Sequence, residues 1–158
     1  MNEEIRDVDW ARLAAFIDGE GSISTRMVCK VSRKRPNGTF VIAVQISNTD
    51  PRLVRWVHSL FGGHVYQGRR TKQQAEKIWK PAWRWEACSR KAYQILVGIE
   101  PYSIIKREQI ELALAFQALV GPVGTRHLGQ ENHDARMTIV KGLKLMHKNN
   151  KLVSEQAS

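Results

Sequence analysis

Two carboxylates follow an apolar run at residues 13–21, which read LAAFIDGEG. The apolar residues of this run recur with helical spacing, which predicts a helix over residues 8–20. Glu20 would then lie at the carboxyl end of that helix, where unpaired carbonyl groups already carry partial negative charge. A carboxylate there is unfavourable by a few tenths of a kcal/mol, up to about 1 kcal/mol, unless a cation accompanies it.

A hard divalent cation would reverse this penalty, because Mg²⁺ and Ca²⁺ prefer carboxylate and carbonyl oxygens as ligands. Gly21 can take the left-handed conformation that ends a helix and releases its last carbonyls, and Gly19 lets a backbone or a phosphate come close. The alternative is an ordinary glycine-terminated helix with two solvated acids. The residues alone leave both interpretations open.

Charge is segregated along the chain, which has 25 basic and 15 acidic residues and a formal net charge of +10. Residues 1–20 hold six acids and two bases, whereas residues 21–75 hold ten bases and one acid, Asp50. The ten bases are Arg26, Lys30, Arg33, Lys34, Arg35, Arg52, Arg55, Arg69, Arg70 and Lys72. Solubilising surfaces mix both signs, so a polyanionic partner explains this segregation better. Nucleic acid fits better than a membrane, because no basic amphipathic helix carries the charge.

Composition excludes several other classes of protein. A hydrophobic content of 42% in 158 residues indicates a folded core and argues against disorder. No window approaches the roughly 20 apolar residues that span a bilayer. The first residues, MNEEIRDVDW, lack the layout of a signal peptide, so we expect an intracellular protein, in the cytoplasm, the nucleoid or an organelle matrix. Cys29 and Cys88 give neither a disulfide framework nor zinc-ligand spacing.

After the first helix the periodicity changes to two, which is typical of strands. One strand is predicted over residues 23–32 and its return strand over 39–47, joined by a turn at Asn37-Gly38. A helix then begins with Asp50 as its cap and Pro51 at its first position, and ends at Gly62-Gly63.

A second strand pair, HVYQGRR and WKPAWRWEAC, precedes three further helices over about 90–99, 104–119 and 132–148. Trp83 and Trp85 share one face of the last strand, which we assign to the core, with base stacking as the alternative. Arg84 and Glu86 share the other face. Strand pairs separated by helices predict an α+β domain, with one mostly antiparallel sheet that helices cover on one side.

The run from Leu13 to Gly21 resembles the motif that names the LAGLIDADG homing endonucleases. It differs at Ala15, where glycine is usual, and at Glu20, where aspartate is usual. The stretches VQISNTDPRLV, FGGHVY, WRW…RKA and IEPYSIIKREQIELAL follow in the order and spacing of the family's bacterial, archaeal and phage-like members. The resemblance covers about residues 8–120. It predicts one domain over residues 1–158, with a C-terminal helical extension over about 121–150.

This resemblance implies an α-β-β-α-β-β-α domain whose curved antiparallel sheet forms a saddle over double-stranded DNA. Motif helices of two repeats pack together in the family, and here the motif occurs once. The family pattern therefore implies a homodimer at a long, near-palindromic site. The implied contact residues between the subunits are Leu13, Ala14, Phe16 and Ile17, with Ala15 and Gly19 allowing close packing.

The implied activity is Mg²⁺-dependent, site-specific cleavage of both DNA strands, which promotes the mobility of an intron or intein. Glu20 and the Gly19 carbonyl would bind the metal; Mn²⁺ could substitute, and Ca²⁺ would support binding without cleavage. Asn48 would order a water, and Arg52 and Lys106 would surround the pocket. An ordinary strand-end turn or solvated helix charges are the alternatives for these three residues. Asp18 is expected to bond locally near the helix end.

Base recognition is expected from the exposed face of the two hairpins, because antiparallel ribbons fit the major groove. The residues proposed to contact DNA are Ser24, Arg26, Lys30, Arg33, Gln45, Arg69, Arg70 and Arg84. Arg69 and Arg70 are adjacent and cannot both face the groove, so the register of the second hairpin stays open.

Two other functions compete with cleavage. The first is a non-cleaving nucleic-acid binder on the same scaffold, either an RNA maturase or a regulator. The second is an unrelated basic ribosome-associated protein, which explains the charge but not the acidic motif. The sequence gives no support for a membrane partner or for intron RNA.

Overall fold

A computed structural model describes residues 4–29, 38–68, 80–120 and 129–156. Its elements, in chain order, are α1 (Asp7–Glu20), β1 (Gly21–Cys29), β2 (Thr39–Asn48), α2 (Pro51–Phe61), β3 (His64–Gln67), β4 (Trp83–Cys88), α3 (Ser89–Ile99), α4 (Arg107–Ala118) and α5 (Gln130–Gln156). The predicted α+β class and the order α-β-β-α-β-β-α are confirmed. None of the described helices combines the length and the apolar character needed to cross a membrane.

The four strands form one antiparallel sheet in the order β1-β2-β4-β3. The predicted alternation in β2 is confirmed, since Phe40, Ile42, Val44 and Ile46 are all buried. Helices α1, α2 and α3 contact β2, and α5 contacts β1. The apolar face of the sheet therefore lies under the helices, and the opposite face presents the polar residues of the hairpins.

The second hairpin confirms the predicted division of β4 into two faces. Trp85 is fully buried and donates its indole N–H to the Gly62 carbonyl at 2.7 Å. Gly63 has a φ of +89°, and a Cβ there would lie 2.8 Å from the Trp85 indole nitrogen, so both the backbone and the packing require glycine. Trp83 is half-buried, with the Arg55 guanidinium 5.5 Å from its ring centre.

The predicted residues at the start and end of α2 are also confirmed. The Asp50 carboxylate accepts the Arg52 backbone N–H at 2.9 Å, and Pro51 occupies the first turn. Gly62, with a φ of +68°, ends the helix by donating its N–H to the His58 carbonyl at 2.9 Å. These local features follow directly from residue chemistry.

The predicted left-handed conformation of Gly21 is wrong. Gly21 is extended, with φ −86° and ψ 168°, and it is already the first residue of β1, paired with Ile46. Glycine is needed there for space, because a Cβ would lie 2.6 Å from the Ile17 Cα. Helix α1 therefore passes into the sheet without a connecting loop, which fixes its acidic end against the sheet.

The prediction that Asp18 bonds locally is wrong as well. Its carboxylate accepts hydrogen bonds from four donors that lie 85 to 88 residues later in the chain. They are the Ser103 hydroxyl at 2.6 Å and the backbone N–H groups of Ile104 at 2.7 Å, Ile105 at 3.2 Å and Lys106 at 3.1 Å. Because this segment wraps around Asp18, α4 begins at Arg107 and not at the predicted residue 104.

We expect Asp18→Asn to lower the free energy of unfolding by about 1.5–3 kcal/mol, the usual effect of hydrogen bonds to a charged group. Asparagine keeps one acceptor oxygen but turns an NH₂ group towards donors. Urea denaturation of both chains measures the difference. Glu111→Gln, which removes an exposed carboxylate from α4, is the matched control. Equal midpoints for the two variants would contradict the role given to Asp18.

The same comparison has a defined pH dependence. Burial raises the pKa of the Asp18 carboxyl, but the hydrogen bonds from Ser103, Ile104, Ile105 and Lys106 outweigh burial and hold it below its usual 3.8. A lowered pKa contributes stability above the unfolded value and loses it as the pH falls through the folded value. The stability difference between wild type and Asp18→Asn should therefore be constant near neutrality and shrink below about pH 4.

The packing of α1 on α3 generates a second stability prediction. A Cβ on Gly98 would lie 2.3 Å from the Trp10 ring, so Gly98→Ala should destabilise the chain by about 1–3 kcal/mol through overpacking. Gly142 on α5 is the control, because its nearest neighbour, Leu112, would be 3.7 Å away. Gly142→Ala should be neutral, or stabilising by up to about 1 kcal/mol. Thermal unfolding distinguishes these outcomes, and a neutral Gly98→Ala would show that the helices can separate at little cost.

Candidate functional site

The end of α1 brings together two residues that the sequence proposed for chemistry. The Asn48 side-chain N–H donates to the Glu20 carboxylate at 2.6 Å. Asn48 ends β2, and the pairing of Gly21 with Ile46 sets this strand end beside the helix end. The other end of the Asn48 amide accepts the Asp50 backbone N–H at 2.8 Å, which fixes its orientation. Asn48 is thus both a turn residue and an orienting group for Glu20.

Lys106 lies at the same helix end. Its ammonium donates to the Asp18 backbone carbonyl at 2.6 Å, and so compensates part of the negative end of α1. Burial lowers the pKa of the Lys106 ammonium, and the Asp18 carboxylate opposes that shift. The half-buried His147 of α5 has its pKa lowered by burial and by the positive charge of Lys106. The ammonium is therefore held by contacts from α1 and bordered by α5.

Arg52 lies in the first turn of α2, after the end of β2. Its guanidinium is highly exposed and binds the Asp50 carboxylate, with Nε 2.9 Å from Oδ2. These hydrogen bonds lower the pKa of Asp50 to about 2. The described hydrogen bonds of Arg52 go to Asp50, and the structure does not bring Arg52 into contact with Glu20.

The carboxylate and carbonyl oxygens at this helix end are suitable ligands for a hard divalent cation that keeps part of its coordination sphere open. Among the described residues, no three His, Cys, Asp or Glu side chains group as metal ligands by themselves. Mg²⁺ does not need such a cage, because it is usually held by one or two carboxylates, waters and phosphate oxygens. The Glu20 carboxylate is exposed, and the space beside Gly19 has no atom within 4 Å of a Cβ position. Glu20 and the Gly19 carbonyl thus fit the predicted role.

Three of the four residues proposed for a subunit contact are core residues of this chain. Leu13, Ala14 and Ile17 have no exposed surface, so their side chains cannot contact a second subunit. This corrects the prediction for these three residues. Phe16, the fourth predicted contact residue, is 38% exposed and packs edge-on against Trp56. The exposed stripe of α1 lies on the other side of the helix and comprises Val8, Arg12, Ala15, Phe16 and Gly19.

The polar face of the sheet carries the described residues that were proposed to contact DNA. The strand register places Ser24, Arg26, Gln45 and Arg84 on this one face. Arg84 is exposed, and Ser24 is half-buried. Lys30, Arg33, Arg69 and Arg70 lie outside the described residues, as does the register of the second hairpin beyond Gly68.

Sequence reasoning missed two acids that organise this region. Asp18 holds the segment that positions Lys106, and Glu86 binds Arg26 and Gln45 on the sheet face. The sequence contained a signal for Glu86, because the alternation of β4 places this acid on the sheet face that is otherwise expected to carry basic residues. Asp18 gave none, because its partners are far away in the sequence.

No family model and no curated protein matches this chain. Solved structures of homing endonucleases do match it. I-CvuI, in complex with its target in the presence of 2 mM Ca, superposes with a TM-score of 0.68 and 15% identity, covering 88% of this chain and 82% of that one. An archaeal intron-encoded homing endonuclease, I-Vdi141I, complexed with DNA, gives a TM-score of 0.68 and 15% identity over 87% of this chain and 83% of that one.

I-SmaMI bound to uncleavable DNA superposes with a TM-score of 0.66 and 20% identity, covering 85% of this chain but 44% of that one. This chain therefore spans less than half of I-SmaMI and most of the other two proteins. At these identities the comparisons concern the fold, and at that level they confirm the resemblance carried by residues 13–21. The chain has the fold of the LAGLIDADG homing endonucleases.

Proposed function

We propose that this chain is a metal-dependent, site-specific endonuclease that cuts both strands of DNA and promotes the mobility of an intron or intein. The observation that carries the proposal is the exposed Glu20 carboxylate at the end of α1, held by Asn48 at 2.6 Å. An acid at the negative end of a helix is unfavourable without a cation. Here the acid is fixed at that position and still open to a ligand.

Each described group has a task in phosphodiester hydrolysis. A divalent metal held by Glu20 and the Gly19 carbonyl would neutralise charge at the scissile phosphate and assist the attacking and leaving oxygens. Asn48 keeps the Glu20 carboxylate oriented. The Lys106 ammonium is placed at the same helix end to stabilise negative charge on the phosphate. Arg52, at the edge of the site, would stabilise negative charge on the phosphate after exchanging its ion pair with Asp50 for one with a phosphate oxygen.

Mg²⁺ is the proposed cofactor, because one carboxylate, a carbonyl and phosphate oxygens match its usual partial protein shell. Mn²⁺ should substitute for it. Ca²⁺ should support DNA binding without cleavage, because it accepts the same oxygen ligands with longer, less regular geometry.

The polar face of the sheet is the proposed DNA surface. Arg26 and Arg84 lie on it, and the chain as a whole carries +10. Lys30, Arg33, Arg69 and Arg70 are proposed to extend the surface beyond the described strands, with Ser24 and Gln45 between the charges. Basic side chains on a two-stranded ribbon match the phosphates and guanine edges of a major groove.

A homodimer is the proposed active form. One Glu20 serves one scissile strand, so cutting both strands requires a second copy or a second repeat. The exposed stripe of α1 includes Ala15 and Gly19, and a helical glycine with nothing near it sacrifices up to about 1 kcal/mol relative to alanine. A closely approaching second helix explains why that glycine is there. The near-palindromic site follows from twofold symmetry.

Glu20→Gln should abolish cleavage and leave DNA affinity nearly unchanged, because it removes the charge that binds metal and keeps the shape of the side chain. The measurement is plasmid cleavage at the uninterrupted insertion site with and without Mg²⁺, together with a binding titration. Glu111→Gln is the control and should cut like the wild type. Cutting by Glu20→Gln at the wild-type rate would contradict the assigned role. Wild-type binding without any nicking would favour the non-cleaving binder instead.

Sedimentation should give a mass near twice 18.1 kDa for the wild type. Ala15→Glu puts a charge on the exposed stripe of α1 without touching the core, so this variant should sediment as a folded monomer and lose double-strand cleavage. Circular dichroism checks that it remains folded. A wild-type monomer that cuts both strands would refute the dimer.

A further inference from the structure

Glu86 is an acid on the face of the sheet that the proposed function assigns to DNA. It is only 5% exposed, although this face is the one that the helices leave uncovered. Its carboxylate accepts two hydrogen bonds from Nη1 of Arg26, at 2.7 and 2.8 Å, and one from Nε2 of Gln45, at 2.7 Å. The acid therefore lies beneath the two side chains expected to read bases.

The strand register makes this arrangement possible. Glu86 on β4 is the direct neighbour of Gln45 on β2, whereas Arg26 is on β1, beyond β2. The arginine must cross β2 to reach Glu86, and Ala43 occupies the same face of β2 between them. Ala43 is 1% exposed, and its methyl group leaves room for the crossing side chain.

Each contact fixes which atoms remain available to a ligand. A carboxylate only accepts hydrogen bonds, so the Gln45 amide must turn its nitrogen towards Glu86 and its carbonyl oxygen away. One N–H of that amide stays free beside the oxygen. Glu86 binds only Nη1 of Arg26, which leaves Nε and Nη2 as a parallel pair of donors on a side chain that is 53% exposed.

These free atoms match particular base edges in the major groove. A glutamine that presents an oxygen and an N–H together pairs with the N6 and N7 positions of adenine, and two parallel arginine donors pair with O6 and N7 of guanine. A freely rotating glutamine or arginine would offer other combinations and discriminate less well.

We infer that Glu86 is a specificity-determining positioning residue, which orients Gln45 to read adenine and Arg26 to read guanine without contacting DNA itself. This inference rests on the proposed function, because it requires the polar face of the sheet to lie in a DNA groove. It concerns Glu86, whose negative charge by itself would disfavour a position beside DNA.

The test is selection of bound duplexes from a randomised DNA library by the full chain, followed by sequencing. Glu86→Gln keeps the size of the side chain but offers both a donor and an acceptor, so the Gln45 amide is free to flip. Discrimination at the adenine position, identified as the one lost in Gln45→Ala, should fall about tenfold. Glu111→Gln removes the same charge elsewhere and should raise affinity slightly for all sequences with unchanged preferences. In a double variant that combines Gln45→Ala with Glu86→Gln, the second substitution should cause no further loss of discrimination at that position.

The outcomes separate this inference from the function on which it rests. If wild type selects a site and Glu86→Gln selects it with the same base preferences, the positioning role is overturned and DNA binding stands. If wild type selects no sequence, both fall. Glu86→Ala, which opens the space to water, replaces Glu86→Gln in the same selection if the latter does not fold, and relaxed preference is again the expected result.

Discussion

The structure depends on the four hydrogen bonds that the Asp18 carboxylate accepts from residues 103–106. They join the end of the first helix to a segment more than eighty residues later, and they set where α4 can begin. The same contacts place the backbone of Lys106 beside α1, so that its ammonium reaches the Asp18 carbonyl at 2.6 Å. Without this junction the helix end would keep its acid but lose the cation that borders it. The geometry proposed for catalysis is thus a consequence of how the fold closes.

The two acids of the motif have opposite tasks because they are two residues apart on one helix. Asp18 turns towards the protein and has its hydrogen-bonding capacity filled, whereas Glu20 turns outward and accepts the Asn48 amide. Gly21 is the first residue of β1, so no loop separates Glu20 from the sheet. In the proposed function, a divalent cation bound by Glu20 offsets the cost of an acid at the negative end of a helix.

Features governed by neighbouring residues could be predicted from the sequence. The cap at Asp50, the glycine stop at Gly62 and the two faces of β4 follow from local chemistry and from a period of two. Partners distant in the sequence could not be predicted, which is why the Asp18 junction and the binding of Arg26 to Glu86 were missed. Periodicity also shows that α1 has an apolar stripe without showing what covers it. The sequence predicts a contact of Leu13, Ala14 and Ile17 with a second subunit, whereas these side chains belong to the core of this chain.

The central claim is that Glu20 and the Gly19 carbonyl hold a hard divalent cation against a DNA phosphate. A crystal structure of the protein with its selected duplex and Ca²⁺ tests this most directly, because Ca²⁺ should bind without permitting cleavage. The account predicts one cation per subunit at about 2.3–2.6 Å from oxygens of Glu20, Gly19 and a backbone phosphate. A complex in which the duplex is bound but the end of α1 holds no cation and lies far from every phosphate would contradict it.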